Sequence, residues 1–425
     1  MSFLYPFMNF FQPGIFWPQL ADAKPMLMLS LLAALVGVMR TSTYSRRAAF
    51  SHPIFVWMSA FFIVQVVSLV HLGSGPTVGG LSYWSIYLIF VVVSILLINN
   101  ETALIRYVSG MLAGAMVIVV FGIVAVIAHW SQAIGGRAGA YGMYENHNDY
   151  SFIIIQIVPF LYVCRKVCTT WLTRLILLAA LGACVAGIVL SLSRGGMLAL
   201  VLEFGLIILI GMERGKRLRW VPVLIVVGIA AIGFQWAKRA ENQGSNYTAA
   251  DAENSRYELW RAGGNLILDK PLLGVGSGLF NEYARVYGEI SHDNRGKNTH
   301  NTYLEVLTGT GIIGFFIFSM MVIKLLKALH RPFLSHGPPL LDALRRATLI
   351  SFYAILFRAI LDAKPHDWSF FILCTIGLAC VMLQRQREAG AVAASFGVDG
   401  RDDVDARNSA NVAAAPVPAV PFFRY

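Results

Sequence analysis

The sequence predicts an all-α integral membrane protein with about 12 transmembrane helices and one large external loop. Three observations carry this. Hydrophobic residues make up 57% of the 425 residues and charged residues only 13%, with a mean hydropathy of +0.63. A water-soluble chain of this length could not cover its surface with so few charges. The apolar residues come in blocks of about 17–25, the length that crosses a bilayer's hydrocarbon core as a helix. The basic residues gather in alternate connections between those blocks.

Taken in order, spans are expected near 4–20, 25–39, 54–72, 81–98, 104–129, 150–164, 171–192, 195–211, 220–236, 303–326, 345–361 and 368–384. The first contains Pro6, Pro13 and Pro18 and could instead be re-entrant or interfacial. It has no basic n-region and no small-residue cleavage site, so it is not read as a signal peptide. Arg46 and Arg47 follow the second span, Arg165 and Lys166 the sixth, Arg214 and Lys216 the eighth, Lys327 and Arg331 the tenth, and Arg385 and Arg387 the last. Alternate connections lie on one side, and the positive-inside rule makes that side cytoplasmic. The formal net charge of +11 is therefore a topology signal. No soluble basic domain is present to bind nucleic acid.

This divides the chain into residues 1–236 with the first nine spans, a periplasmic loop over 237–302, the last three spans over 303–384, and a tail over 385–425. The tail mixes Ala, Gly, Pro and charge and reads as disordered and cytoplasmic. Its Asp403 and Asp405 read as a solvated acidic patch. The loop has helix and turn signals and exceeds the length of an ordinary connection. None of the five cysteines falls in it, and no Cys/His spacing suits zinc.

Three places on the external face carry candidate chemistry. In Ser191-Leu192-Ser193-Arg194-Gly195-Gly196, Ser193 suits an N-cap, which puts Arg194 in the first turn of the next helix. A helix start with a guanidinium is an anion site, and equally an arginine there can simply anchor a helix end. In Ser255-Arg256-Tyr257-Glu258-Leu259-Trp260-Arg261, Ser255 and Glu258 fit a capping box and predict a helix starting there. Trp260 then lies one turn from Arg256 on the same face, and Arg261 points elsewhere. The helix should end before Gly263-Gly264 or by Lys270-Pro271, and Gly274, Gly276 and Gly278 mark an irregular turn. In Asn298-Thr299-His300-Asn301-Thr302-Tyr303-Leu304-Glu305, His300 sits where loop meets span. It could act as a general base or be structural. Glu305 lies inside the span and needs a partner.

These segments resemble three ordered blocks of the O-antigen ligase and O-antigen polymerase superfamily. LSLSRGGMLAL matches its SRGG-type turn. SRYELW followed by KPLLGVGSGLF matches its R-x-x-x-W helix and P-L-x-G-V-G turn. THNTYLEVLTGTGIIGFF matches its H-N-x-Y-L-x-x-L-x-x-x-G-x-x-G block. Glu145-Asn146-His147-Asn148 is similar to the family's Asn-bearing external loop. The blocks cover roughly residues 145–320.

The resemblance implies a GT-C-type membrane glycosyltransferase of the bacterial inner membrane, with its active site facing the periplasm. It would move a glycan from undecaprenyl diphosphate, the ligase branch using a sugar of lipid A-core as acceptor. It assigns donor diphosphate binding to Arg194 and Arg256, with Arg261 as a second candidate, and the general base to His300. Asn301, Tyr303, Glu305 and Trp260 are supporting residues. Guanidinium groups and helix starts can stabilise a leaving diphosphate without a metal, so the expected reaction is an inverting, metal-independent single displacement. Carboxylates at Glu145, Asp149 and Asp293 leave a metal conceivable. There is no Walker-type loop for ATP, and no cofactor is expected.

Three other readings stay open. A polymerase would join lipid-linked repeat units to each other. An O-oligosaccharyltransferase would transfer the glycan to a protein hydroxyl. A 12-helix transporter is the different class, against which stands the absence of repeated halves and paired interrupted helices.

Overall fold

The structure is a computed structural model that describes all residues except 17–23, 71–73, 132, 212–213, 244–248, 332–338, 364–366 and 396–425. It is helical throughout, with no strand among the described residues. The helices are α1 (Leu4–Phe11), α2 (Pro13–Phe16), α3 (Pro25–Arg40), α4 (Thr43–Phe50), α5 (Pro53–Val70), α6 (Ser74–Leu97), α7 (Glu101–Ile127) and α8 (His147–Val167). They continue with α9 (Trp171–Ser191), α10 (Arg194–Gly211), α11 (Arg214–Gln243), α12 (Ala249–Asp269), α13 (Phe280–Tyr287), α14 (Thr302–His330), α15 (Pro339–Arg358) and α16 (Trp368–Ser395).

By length and composition, seven of these are able to cross a membrane among the described residues, and an eighth if α3 and α4 count as one span bent by 116°. The spans expected at 195–211, 220–236 and 345–361 coincide with α10, α11 and α15. The fold is thus that of a multi-pass, all-helical membrane protein.

Two boundaries differ from the expectation. Residues 4–20 do not form one span: Gln12 turns left-handed (φ 49°) and separates α1 from α2. Eight residues of helix cover only about 12 Å. Instead α1 inserts against α7, where glycines allow the approach. A methyl group on Gly110 would sit 2.1 Å from the Phe3 carbonyl oxygen. The tail is expected from residue 385, but α16 continues to Ser395. Arg387 pairs there with Glu101, and Gln384 donates to Glu388. Asp403 and Asp405 lie outside the described residues.

The core lies where α8, α15 and α16 meet. All three bury long apolar stretches, and buried polar groups bind each other across them. Gln156 donates to Ser369 Oγ (2.6 Å), and Ser351 donates to the Gln156 carbonyl (2.9 Å). An apolar interior leaves buried polar groups no solvent partner, so they must find one another.

The segment between α11 and α14 is fastened to this bundle at a break in α14. Gly311 has φ 64° and ψ −167°, a backbone region open in practice only to glycine. The break frees backbone groups, and the turn after α12 takes them up. Ile312 N–H donates to the Pro271 carbonyl (2.8 Å), and Val275 N–H donates to the Thr308 carbonyl (2.9 Å). A methyl group on Gly311 would lie 2.2 Å from the Leu272 carbonyl carbon, and one on Gly274 would lie 2.2 Å from the Thr308 carbonyl oxygen.

Within the segment, α12 starts at Ala249, earlier than the expected capping box at Ser255. Glu258 does not turn back along its own helix. It accepts from Ser291 N–H (3.1 Å), Ser291 Oγ (2.8 Å) and Asn294 Nδ2 (2.8 Å), and so closes the loop before His300. Asn294, then Ser291, hold its carboxyl below the usual glutamate range.

Two outcomes follow from this joint. Gly311→Ala combines a conformational cost on the order of 1–3 kcal/mol with a backbone clash, and its unfolding midpoint in detergent should fall clearly. Gly264→Ala, in α12 with open space around it, should hold or raise the midpoint, since helical alanine is favoured by about 1 kcal/mol. Equal midpoints for the two would contradict the joint. Because Glu258's folded pKa is depressed, its contribution is full above the unperturbed value of about 4.3. It is lost as pH falls through the lower folded value. Hydrogen exchange at the Ser291 amide, corrected for intrinsic rate, should therefore lose protection as the pH is taken well below the ordinary glutamate range, while the core of α8 keeps its own.

Candidate active site

Four segments meet at one end of the bundle. The first is the turn between α9 and α10. Leu192 adopts φ 50°, which reverses the chain, and Ser193 then caps α10 by accepting from Gly196 N–H (3.2 Å). Ser193 Oγ itself donates to Asn148 Oδ1 (2.8 Å), joining the Glu145–Asn148 loop to the SRGG turn. Arg137 secures the other side, donating to the carbonyls of Ser191 (3.0 Å) and Leu192 (3.3 Å). Those carbonyls end α9, where a cation is favoured. Arg194 is therefore the first residue of α10, partly buried.

The second segment is α12. Arg256 donates from Nη2 to the Leu361 carbonyl (3.3 Å), and Trp260 donates from Nε1 to the Thr299 carbonyl (2.9 Å). One helical turn apart, both side chains reach the same end of the bundle, as the spacing requires. Arg256 lies in the third turn of α12, so its position owes nothing to a helix start. Arg261 is exposed on the same helix, and no contact joins it to this cluster among the described residues.

The third is the entry to α14. His300 adopts φ 50°, with its N–H donated to Asn298 Oδ1 (3.1 Å). Asn301 caps α14 by accepting from Tyr303 N–H (3.0 Å) and Leu304 N–H (3.1 Å). Glu305 finds its partner in Thr299, accepting from its N–H (3.0 Å) and its hydroxyl (2.8 Å). Tyr303 Oη donates to the Leu356 carbonyl (2.8 Å). Three of the four supporting residues therefore brace the chain on either side of His300, and Trp260 holds it from α12.

The fourth segment, the end of α15, was not singled out from the sequence. Thr302 donates from N–H to the Ala359 carbonyl (2.8 Å) and from Oγ1 to the Asp362 carbonyl (2.7 Å). The Asp362 carboxylate accepts from Arg358 Nη2 (3.2 Å) and lies 3.8 Å from His300 Nδ1. Arg358 also backs onto Gly195 of the first segment. The signal available was an Arg–Asp pair four residues apart at the edge of an apolar span, where unpaired charge is costly.

The arrangement presents guanidinium groups, two capped helix starts and an imidazole together. It suits binding of an anion beside a hydroxyl that must lose a proton. Among the described residues, no three His, Cys, Asp or Glu side chains converge as metal ligands. The side chain of Asp293 lies outside that description.

Among curated proteins, none matches the chain. Residues 177–319 match the family model described as O-Antigen ligase. This stretch runs from within α9 into α14 and contains Arg194, Arg256 and His300, while Arg358 and Asp362 lie beyond it. That stretch, about a third of the chain, is thus similar to the O-antigen ligase family.

Proposed function

We propose that the chain is an O-antigen ligase, transferring O-antigen from undecaprenyl diphosphate to a sugar hydroxyl of lipid A-core. In this reading it is a GT-C-type enzyme of about 12 spans in the bacterial inner membrane. Its large loop and active site face the periplasm, and its tail is cytoplasmic. The observation that supports it most is the meeting of Arg256, His300 and the start of α10 at one end of the bundle.

The chemistry is a single displacement. The acceptor oxygen attacks the anomeric carbon from the face opposite the diphosphate, the carbon–oxygen bond to the diphosphate breaks, and the configuration inverts. Asp362 beside Nδ1 of His300 favours the tautomer with its proton there, leaving the Nε2 lone pair to take the acceptor's proton. The departing diphosphate gains charge, which Arg194, Arg256 and the α10 start stabilise without a metal. Arg261 is kept as a second donor-binding candidate, placed at the rim. The energy of the step is in the donor bond, so neither ATP nor another cofactor enters. Both substrates are lipid-borne and reach the cleft by diffusion in the membrane.

The test is a transfer assay with purified protein, chelator, undecaprenyl-diphosphate-linked glycan, and either lipid A-core or no acceptor. Product should form only with the core. Chain growth on donor alone would instead identify a polymerase. His300→Ala should lower transfer by about 10²–10⁴-fold. Arg256→Lys, which keeps the charge and loses the planar fork, should lose at least about tenfold. Transfer by Arg256→Lys at the wild-type rate would remove the diphosphate clamp from the mechanism.

A further inference from the structure

The transfer described above leaves one buried charge at this end of the bundle without a role. Arg358 ends α15 and is only 1% exposed. Burying a guanidinium is expensive, and an apolar side chain of like volume would often pack such a site at no loss of stability. Its neighbours are specific. Nη2 donates to Asp362 Oδ2 at 3.2 Å, and Asp362 Oδ1 lies 3.8 Å from His300 Nδ1. On its other side the guanidinium lies against Gly195: a methyl group there would come within 2.7 Å of Nη1 and 2.9 Å of Cζ. The charges of Asp149, on α8, and Arg256, on α12, also act on it.

We infer that Arg358 is a positioning residue, which holds the Asp362 carboxylate against Nδ1 of His300 and braces it on the helix start that carries Arg194. The inference rests on the reading of His300 as the base. Asp362 can fix the imidazole only while its own orientation is fixed. Ala363 N–H binds Oδ1 (3.0 Å), and Arg358 binds Oδ2. The guanidinium also offsets part of the carboxylate's charge. A β-carbon at Gly195 would force the Arg358 guanidinium to shift from its place beside Asp362. This mechanically joins the two halves of the reaction, the anion-binding helix start and the proton acceptor.

The link can be measured with and without activity. Only neutral imidazole reacts with diethyl pyrocarbonate, so modification of the His300 peptide, followed by mass spectrometry from about pH 5 to 9, reports its titration. In Arg358→Met the Asp362 charge is no longer offset, and the midpoint should move up by on the order of half a pH unit or more. In the double variant Arg358→Met/Asp362→Asn it should return to the wild-type midpoint or below. In the transfer assay, Arg358→Met should lower kcat at least about tenfold with donor KM within about twofold. Gly195→Ala should do the same, and the two together should cost little more than either alone.

An unmoved midpoint in Arg358→Met, or a raised KM with unchanged kcat, would overturn the inference. Should Arg358→Met fail to fold, Arg358→Lys keeps the charge without the fork. Its midpoint should match wild type while kcat falls, and a wild-type kcat there would overturn the inference equally. A midpoint shift in a protein inactive with every lipid-diphosphate donor sustains the link among the three side chains and removes the transferase reading instead.

Discussion

A helix that breaks inside an apolar bundle must find new partners for the backbone groups it frees, because no solvent is there to take them. In this chain that constraint is met at Gly311. The turn Pro271–Gly276 supplies the carbonyl and the N–H that α14 gives up, and the glycines on both sides let the two backbones touch. The segment between α11 and α14 is thereby pinned at its C-terminal half to the same helix whose first residues follow His300. Everything on α12 inherits that fixed point. Trp260 reaches Thr299 before the α14 entry, and Arg256 reaches Leu361 just past the end of α15, from a helix held by that joint. Two blocks of sequence about thirty residues apart, one rich in Gly-x-Gly and one in Thr-Gly, are thus two faces of one joint.

The two motifs that begin helices share a device. Leu192 and His300 both take left-handed backbone angles immediately before a polar cap, Ser193 in one case and Asn301 in the other. A non-glycine residue in that region costs roughly 1–2 kcal/mol. Both residues turn the chain so sharply that a helix start faces the same end of the bundle. Helix starts carry partial positive charge. Paying strain twice to aim two of them together is reasonable for a site that receives an anion, and hard to explain for one that only anchors helices.

Much of this was legible in the sequence, for reasons that differ by element. Apolar block length marks α5 to α10 and α14, since bilayer thickness sets it directly. Ser193 was readable as a cap because capping is a local event of three or four residues, whereas the Asn301 cap on α14 emerged only in the structure. The expectation that Arg194, Arg256 and His300 share one site came from topology and from a family resemblance. What escaped was set by distant partners. Glu258 binds Ser291 and Asn294, so a capping-box spacing suggested the wrong helix start. The break at Gly311 lies in an unbroken apolar run whose local pattern says helix. The pairing of Arg387 with Glu101 extends α16 into a stretch whose composition says tail. Arg358 and Asp362 sat at the edge of an expected span, where a charge is easily taken for a boundary marker.

The charge balance of the cluster ties these points together. Arg194, Arg256 and Arg358 approach one end of the bundle, and the charges of Asp149 and Asp362 act there on Arg358. A closed ion-pair network would have used arginines and carboxylates in equal number, and an apolar site would have used neither. An excess of fixed positive charge, half-buried and backed by helix starts, is unfavourable by itself and is relieved by a ligand with two negative charges. Asp362 cannot supply that relief, because Arg358 and His300 already share it. Asp362 is thus placed beside the imidazole, and in the proposed reaction the diphosphate falls to Arg194, Arg256 and the α10 start, which divides proton acceptance from anion binding at one end of the bundle.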